Sequence, residues 1–531
     1  MSYMGVDIGT TGCKALVFDE DGRRLVRAYR EYPLHAPREG WAELDSNEVC
    51  ACCEAVMQEA AAACSRDPVR GLGISSQGEA FTPVGVDGAI LGNAMVSSDM
   101  RAAPLVEEFS ETLGRDRLYA VTGHTPHSLF TLYKLLWLRR TRPAIWDRAA
   151  KFYCFEDLLQ HRLGLEPAIS WPLAGRTMLF DVRKADWATE ILAACGLSAA
   201  RLSRPVPSGT ALGTLARSRA RSLGLGSDVL VVAGGHDQPC AALGAGAAMP
   251  GVAMYGAGTV ECFCPAFDAP VFSPALMRSN LCTYSHVAPR MYTTVAYSLT
   301  GGNLLRWFRD EFGHAETALS NRTGTDVYEL LLRNIPSQPT RLLVLPYFTP
   351  SGTPHFDTRV PGAVLGLRLS TTRQELLRGL LEGVALEMRL NLDILERAGL
   401  AVREFRVTGG GAKSSVLTAL KADVLNRPIT TVAEPEAGCL GVAMLACAAH
   451  RNAALETLQD GWVRTGPVVA PDCERAALYA ERFEQYRALY PVLRQFYGNT
   501  AGEAGDGVLD EVIAEDHDKV YDKVCVGGET P

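Results

Sequence analysis

With 531 residues, 47% of them hydrophobic and 21% charged, the chain is too long for one core and too apolar to be disordered, so about two to four globular domains are expected. A net charge of −8, with Arg139-Arg140-Thr141-Arg142 as its densest basic run, excludes the concentrated basic face of a nucleic-acid protein. No apolar run approaches the roughly 20 residues of a membrane helix; Val229–Ala233 and Cys439–Ala449 read as a buried strand and a small-residue helix.

The first element, Met4 to Phe18, reads as an apolar strand that breaks at Asp7 into a Gly/Thr turn and resumes as a second apolar strand. Gly9 and Gly12 would let the backbone approach an anion, Thr10 and Thr11 would add hydroxyl donors, and Asp7 could hold a metal. An ordinary hairpin with an acid in its turn explains the segment equally well, and the rest of the chain decides. Lying so near residue 1, the hairpin is expected to leave no room for a targeting peptide. The fifteen cysteines, including Cys50-Ala-Cys52-Cys53 and Cys262-Phe-Cys264, lack C-x-x-C spacing and are expected to be free buried thiols in a reducing cytoplasm.

Arg70–Ser76 reads as a strand, Thr131–Arg140 as a helix and Asp228–Gly234 as a short buried strand, an alternation that predicts parallel sheets covered by helices. That last strand runs into Gly234-Gly-His-Asp237 ahead of a small-residue helix. Asp237 could be a helix N-cap, or a carboxylate placed at the end of a parallel strand to accept a proton from a substrate hydroxyl, with Gln238 beside it to orient that substrate. Next, Val252 to Phe263 repeats the strand, Gly/Thr turn, strand plan of the N-terminus, which predicts two similar domains, 1–246 and 247–497. Pro346–Pro354 and Pro361–Gly366 read as ordered loops. Phe405-Arg-Val-Thr-Gly-Gly-Gly-Ala-Lys-Ser-Ser joins a strand to a helix over Val416–Leu425; it has neither Walker A nor dinucleotide spacing, and an ordinary connection or a nucleotide contact would each account for it. Residues 498–531 are expected to be a flexible tail.

Taken together, Asp7-Ile-Gly-Thr-Thr, Gly40-Trp-Ala-Glu-Leu-Asp45, Ser76-Gln77, Asp99-x-Arg101, Gly234-Gly-His-Asp237, Gly256-Ala-Gly-Thr259, Pro346-Tyr-Phe with Gly352-Thr-Pro-His, Glu382-Gly-Val-Ala and Gly409-Gly-Gly-Ala-Lys-Ser occur in an order that resembles the FGGY family of carbohydrate kinases, over residues 3 to 497. The resemblance implies an α/β fold of two actin-like, ribonuclease H-like domains with a cleft between them, closing on ATP and a small sugar or polyol. It implies Asp237 as the catalytic base and Asp7 as a ligand of Mg²⁺. Thr10, Thr11, Gly12, Lys14, Gly258, Thr259, Gly302, Arg306, Gly410, Gly411 and Ser415 would bind ATP, and Gln77, Gly78, Asp99, Arg101 and Gln238 would bind the acceptor.

The implied activity is ATP-dependent phosphorylation of a sugar hydroxyl in the cytoplasm, with no nucleic acid or membrane partner and with homodimerisation left open. Departures from the family pattern fall on the acceptor side: Ser97 stands two positions before Asp99 where an aromatic residue is frequent, Ser170-Trp-Pro-Leu stands where relatives often carry an acid, and Glu79 and Glu261 occupy variable positions. The competing expectation is a catalytically silent actin-like protein that binds ATP and sugar. An actin- or chaperone-type ATPase would not need the Gln77, Asp99-x-Arg101 and Asp237-Gln238 set.

Overall fold

The computed structural model describes residues 1–498, so the tail expected over 498–531 lies, apart from Gly498, outside the described residues. Strand Ser2–Ile8 pairs antiparallel with Gly12–Asp19, placing Asp7 opposite Lys14. The strand runs through Asp7 rather than breaking there, because its backbone remains paired on both sides as far as Ile8. Nearly every residue of the two strands is buried, since both faces of the sheet are covered.

The first sheet has six strands, in the order Ala211–Thr214, Leu230–His236, Val69–Ser76, Ser2–Ile8, Gly12–Asp19 and Arg24–Glu31. Ser2–Ile8, Val69–Ser76 and Leu230–His236 are mutually parallel neighbours. The second sheet repeats the plan: hairpin Val252–Ala257 with Glu261–Phe267, then Glu404–Thr408 and Ile429–Val432 added in parallel beside its first strand. The internal echo in the sequence is therefore a repeated topology. The helix seen in the sequence at Thr131–Arg140 runs Thr131–Thr141, and the one at Val416–Leu425 starts one residue earlier, capped by the Ser414 side chain on the Leu417 N–H. Residues 361–366, read as a loop, contain strand Ala363–Leu365, paired with Leu343–Leu345.

Helix Ala437–Arg451 ties the halves together. It follows the second sheet in sequence yet packs on the first, burying Leu440, Val442, Met444 and Leu445 with Tyr3, Leu16, Phe18 and Val232. The approach is at backbone contact: a Cβ on Gly5 would lie 2.0 Å from the Cys439 carbonyl oxygen, and one on Gly73 would lie 2.3 Å from that of Val442. The small residues of this helix are thus matched by side-chain-free positions on the strands beneath. Among the described residues the cysteines are free, and all except Cys52 and Cys473 are buried. No helix among them is long and apolar enough to cross a membrane.

Candidate active site

Strand Leu230–His236 loses register with Val69–Ser76 between Val232 and Gly235, so its end is re-aimed just before Asp237. The irregular turn is held by Glu156, whose buried carboxylate accepts from the Gly234 N–H at 2.7 Å and from the Ser170 hydroxyl at 2.7 Å. Burial pushes Glu156 up to about 7, against those hydrogen bonds. Sequence reasoning missed Glu156, because its partner lies 78 positions away and nothing local marks it.

Asp237 opens helix Asp237–Gly244, and His236, not Asp237, occupies the N-cap position. Its carboxylate accepts from the Gln238 backbone and side chain. Oδ1 has no aligned hydrogen-bond partner, although the His236 Nε2 lies 3.1 Å away. The side chain keeps 31% of its surface exposed, although Oδ1 itself is buried. Burial raises Asp237 to about 7, and the like charges of Asp7 and Glu79 add to the effect. Hydrogen bonds from Gln238 act the other way, and the result is a carboxylate with its Oδ1 unpartnered, poised near neutrality at the end of a parallel strand, an arrangement suited to a general base.

Asp7, at the end of the neighbouring strand, accepts from the Ser75 hydroxyl at 2.7 Å and faces the Lys14 ammonium at 3.3 Å. Lys14 also pairs with Glu436 at 2.6 Å. Burial works against the Lys14 charge, but Asp7 and Glu436 hold it firmly protonated. Among the described residues there is no cluster of three potential metal ligands. A single carboxylate at the cleft nevertheless fits Mg²⁺, which typically takes one or two carboxylates and completes its octahedron with water and phosphate oxygens.

The acceptor-side residues divide into two groups. Gln77 turns toward the first hairpin: its Nε2 donates to the Gly9 carbonyl at 3.0 Å and its Oε1 accepts from the Thr10 hydroxyl at 3.1 Å. Asp99 and Arg101 spend their groups on each other and on the Trp41 segment. Arg101 donates to both Asp99 oxygens, pairs with Glu43 at 2.7 Å and lies 3.6 Å over the Trp41 ring, while Asp99 also accepts from the Ala42 N–H. Closer to Asp237 stand Gly78 and Glu79. A Cβ on Gly78 would sit 3.0 Å from the His236 ring, so a side chain there would have to push the imidazole aside. Glu79 is buried at φ +64 and ion-paired with Arg176, with its carbonyl accepting from Thr131. A left-handed, buried glutamate is a strained residue kept in place by its surroundings. Gln238 accepts from the Cys262 thiol of the second hairpin at 3.0 Å.

On the other side of the cleft, the turn Gly258–Val260 is exposed. Its carbonyls accept from the Gly302 N–H at 3.0 Å and the Asn303 N–H at 3.1 Å, which fixes helix Gly302–Phe312 against the hairpin. Gly409 adopts φ +86, where a Cβ would meet the Ala257 carbonyl oxygen at 2.8 Å. The following turn, Gly410–Lys413, is thereby brought alongside the second hairpin, with open space above Gly410. Arg306 and Ser415 are exposed. Glu261 is buried, takes the Lys421 ammonium at 2.6 Å and accepts from the Tyr255 hydroxyl.

Residues 2–244 match the N-terminal domain, and residues 253–450 the C-terminal domain, of the FGGY family of carbohydrate kinases. A xylulose kinase of Bacillus subtilis is 24% identical over 497 residues, covering 92% of this chain and 97% of that protein. A glycerol kinase of Thermococcus onnurineus is 28% identical over 489 residues, covering 89% and 94%. The crystal structure of xylulose kinase from Rhodospirillum rubrum superposes with a TM-score of 0.83 at 26% identity, covering 94% of this chain and all of that one.

Proposed function

Because the chain belongs to the FGGY family of carbohydrate kinases, and so transfers a phosphoryl group from ATP to a hydroxyl of a small sugar or polyol, we propose that Asp237 is its catalytic base and that the two hairpins grip the nucleotide. The observation that carries the assignment is the Asp237 Oδ1: a buried acceptor without an aligned partner, on a carboxyl raised to about 7. Thr10, Thr11 and Gly12 of the first turn and Gly258 and Thr259 of the second would present N–H and hydroxyl donors to the phosphates, with Lys14 adding charge. Gly302, Arg306, Gly410, Gly411 and Ser415 would border the nucleoside. Asp7 would hold Mg²⁺, which when bound spreads the negative charge of the phosphates.

Attack by the acceptor oxygen on the γ-phosphorus needs alignment above all, and Asp237 takes the hydroxyl proton as the new P–O bond acidifies that oxygen. In this reading Gly78 and Gln238 border the acceptor directly. Gln77 acts by holding the Gly9-Thr10 turn, and Asp99 with Arg101 acts by fixing the Trp41 wall. The acceptor is taken as an uncharged ketose or polyol, since xylulose and glycerol kinases are among the relatives. The two domains are taken as residues 1–246 and 247–497, with helix Ala437–Arg451 crossing back from the second. The enzyme is taken to work in the cytoplasm, free of nucleic acid and membrane, with homodimerisation open.

The test is coupled ADP release across D-xylulose, D-ribulose, L-fuculose, glycerol and gluconate, repeated with Asp237→Asn. Turnover of one or more of the neutral acceptors, lost by about 10³-fold or more in Asp237→Asn while ATP still binds, is the expected result. Near-normal turnover in that variant would remove Asp237 from the base role, and turnover of gluconate alone would overturn the uncharged acceptor.

A further inference from the structure

The residue before the base is as unusual in its contacts as the base itself. His236 is almost fully buried, and its two ring nitrogens face different partners: Nδ1 lies 2.9 Å from the Tyr284 hydroxyl, and Nε2 lies 3.1 Å from Asp237 Oδ1. Tyr284 is completely buried and belongs to strand Tyr284–Ser285 of the second sheet. One imidazole thus stands between the base, carried by the first sheet, and a tyrosine carried by the second.

The surroundings leave the ring little choice of place. Gly78 lies against its Cδ2 and Nε2 edge, where any Cβ would touch, while the Tyr284 ring packs 5.8 Å from it, centroid to centroid. Burial and the neighbouring Arg176 guanidinium hold His236 well below the usual histidine range, so the ring is neutral, with one donor and one acceptor nitrogen. Tyr284, also buried, is pushed far above the usual phenol range and keeps its proton. With the Tyr284 hydroxyl donating to Nδ1, the imidazole proton sits on Nε2, the nitrogen that faces Asp237.

We propose that His236, held by Tyr284, is a positioning residue that aims the Asp237 carboxylate at the acceptor hydroxyl. The Nε2 and Oδ1 atoms are already within range but not aligned as a hydrogen bond. A small rotation of the carboxylate aligns them, and Oδ2 is then directed to the acceptor. Because Tyr284 rides on the other sheet, the aim of the base depends on how the two domains stand. No covalent step is involved; the pair sets an orientation and leaves the proton transfer to Asp237.

This inference rests on Asp237 being the base, and the experiment separates the two. Steady-state kinetics with the acceptor turned over fastest in the ADP-release panel would be measured for His236→Ala, His236→Gln, Tyr284→Phe, the double variant His236→Ala/Tyr284→Phe and Asp237→Asn. Loss of a positioning contact predicts a fall in kcat of about 10- to 100-fold for His236→Ala with the KM for ATP within about twofold of the parent. Tyr284→Phe, which keeps its ring, should lose about 3- to 10-fold in kcat, and the double variant should be no worse than His236→Ala alone, because Tyr284 acts through the imidazole. His236→Gln, whose amide can donate to Asp237 and accept from Tyr284, should recover most of the loss. If Asp237→Asn is inactive but Tyr284→Phe keeps the parent kcat while His236→Ala falls only in step with its melting temperature, the histidine is merely structural and the proposal fails. Additive losses in the double variant would overturn the route through His236. If Asp237→Asn itself stays active, it is the base assignment that fails. Should His236→Ala not fold, Tyr284→Phe still decides, since parent kcat in that variant overturns the proposal.

Discussion

The Lys14 ammonium and the Glu436 carboxylate, 422 positions apart in sequence, meet at 2.6 Å. Glu436 stands at the N-cap position of helix Ala437–Arg451, so the contact staples the first hairpin to the helix that crosses back from the second sheet. It also keeps a cation 3.3 Å from Asp7, where a metal ion would compete with it. Removing Glu436 leaves Lys14 with Asp7 as its one close carboxylate. Glu436→Gln is therefore expected to raise the Mg²⁺ concentration for half-maximal activity by about fivefold, the scale of a partly exposed pair of roughly 1 kcal/mol. A Mg²⁺ titration at fixed ATP and saturating acceptor checks this, and an unchanged midpoint would show that Lys14 does not contest the metal position.

Asp7 itself is held by Ser75 rather than by the hairpin turn, so its loss should leave the turn intact. For Asp7→Ala, titration calorimetry should show Mg-ATP binding weakened by about 10-fold or more and acceptor binding within about twofold of the parent. Equal weakening of both ligands would mean that the cleft has rearranged, and would withdraw the metal role.

The raised Asp237 carboxyl makes a prediction about pH. A base must be deprotonated, so a carboxyl raised to about 7 gives kcat/KM for the acceptor that is flat above pH 7 and falls about tenfold per unit below it. The groups that face it are Asp7 and Glu79, which raise it, and the neutral His236. Taking away the negative charge of Glu79 favours the ionised form, so Glu79→Gln should move the acid limb to lower pH. An acid limb near 4 in the parent enzyme would show that the cleft does not perturb Asp237.

The sequence made the two hairpins legible because each sets a Gly/Thr turn between continuous apolar strands, a local pattern that needs no partner to be recognised. Asp237 was legible for the same reason, being announced by two glycines at the end of a buried strand. What local pattern could not supply was the use each polar group makes of distant ones. Asp99-x-Arg101 reads as a pair in one dimension, and only in three does Arg101 show its contacts with Asp99, Glu43 and Trp41. Glu156 and Tyr284, which hold the turn before Asp237 and its histidine, carry no motif at all. Nor does any local pattern mark the glycines at 5 and 73, whose reason is the helix lying on them.

That helix also reaches the helix that begins with Asp237. Gly441 packs against helix Asp237–Gly244 so closely that a Cβ on it would lie 2.1 Å from the Cys240 carbonyl oxygen and 3.1 Å from the Gly244 nitrogen; a Cβ on Gly244 would in turn lie 1.9 Å from the Ala437 carbonyl oxygen. Both obstacles are backbone atoms, which no side-chain rotation can remove. Helix propensity alone would make Gly441→Ala stabilising by up to about 1 kcal/mol, but the overlap forces the two helices apart and overpacking of this kind costs about 1–3 kcal/mol. The overlap dominates, so Gly441→Ala should lower the melting temperature by several degrees, on the order of 2–4 °C per kcal/mol for a domain of this size. Because the displaced helix begins with Asp237, kcat should fall by more than the loss of folded protein explains. Differential scanning calorimetry beside kinetics at a temperature where the variant is fully folded separates the two effects, and a Gly441→Ala enzyme as stable as its parent would show that the helices can yield without cost.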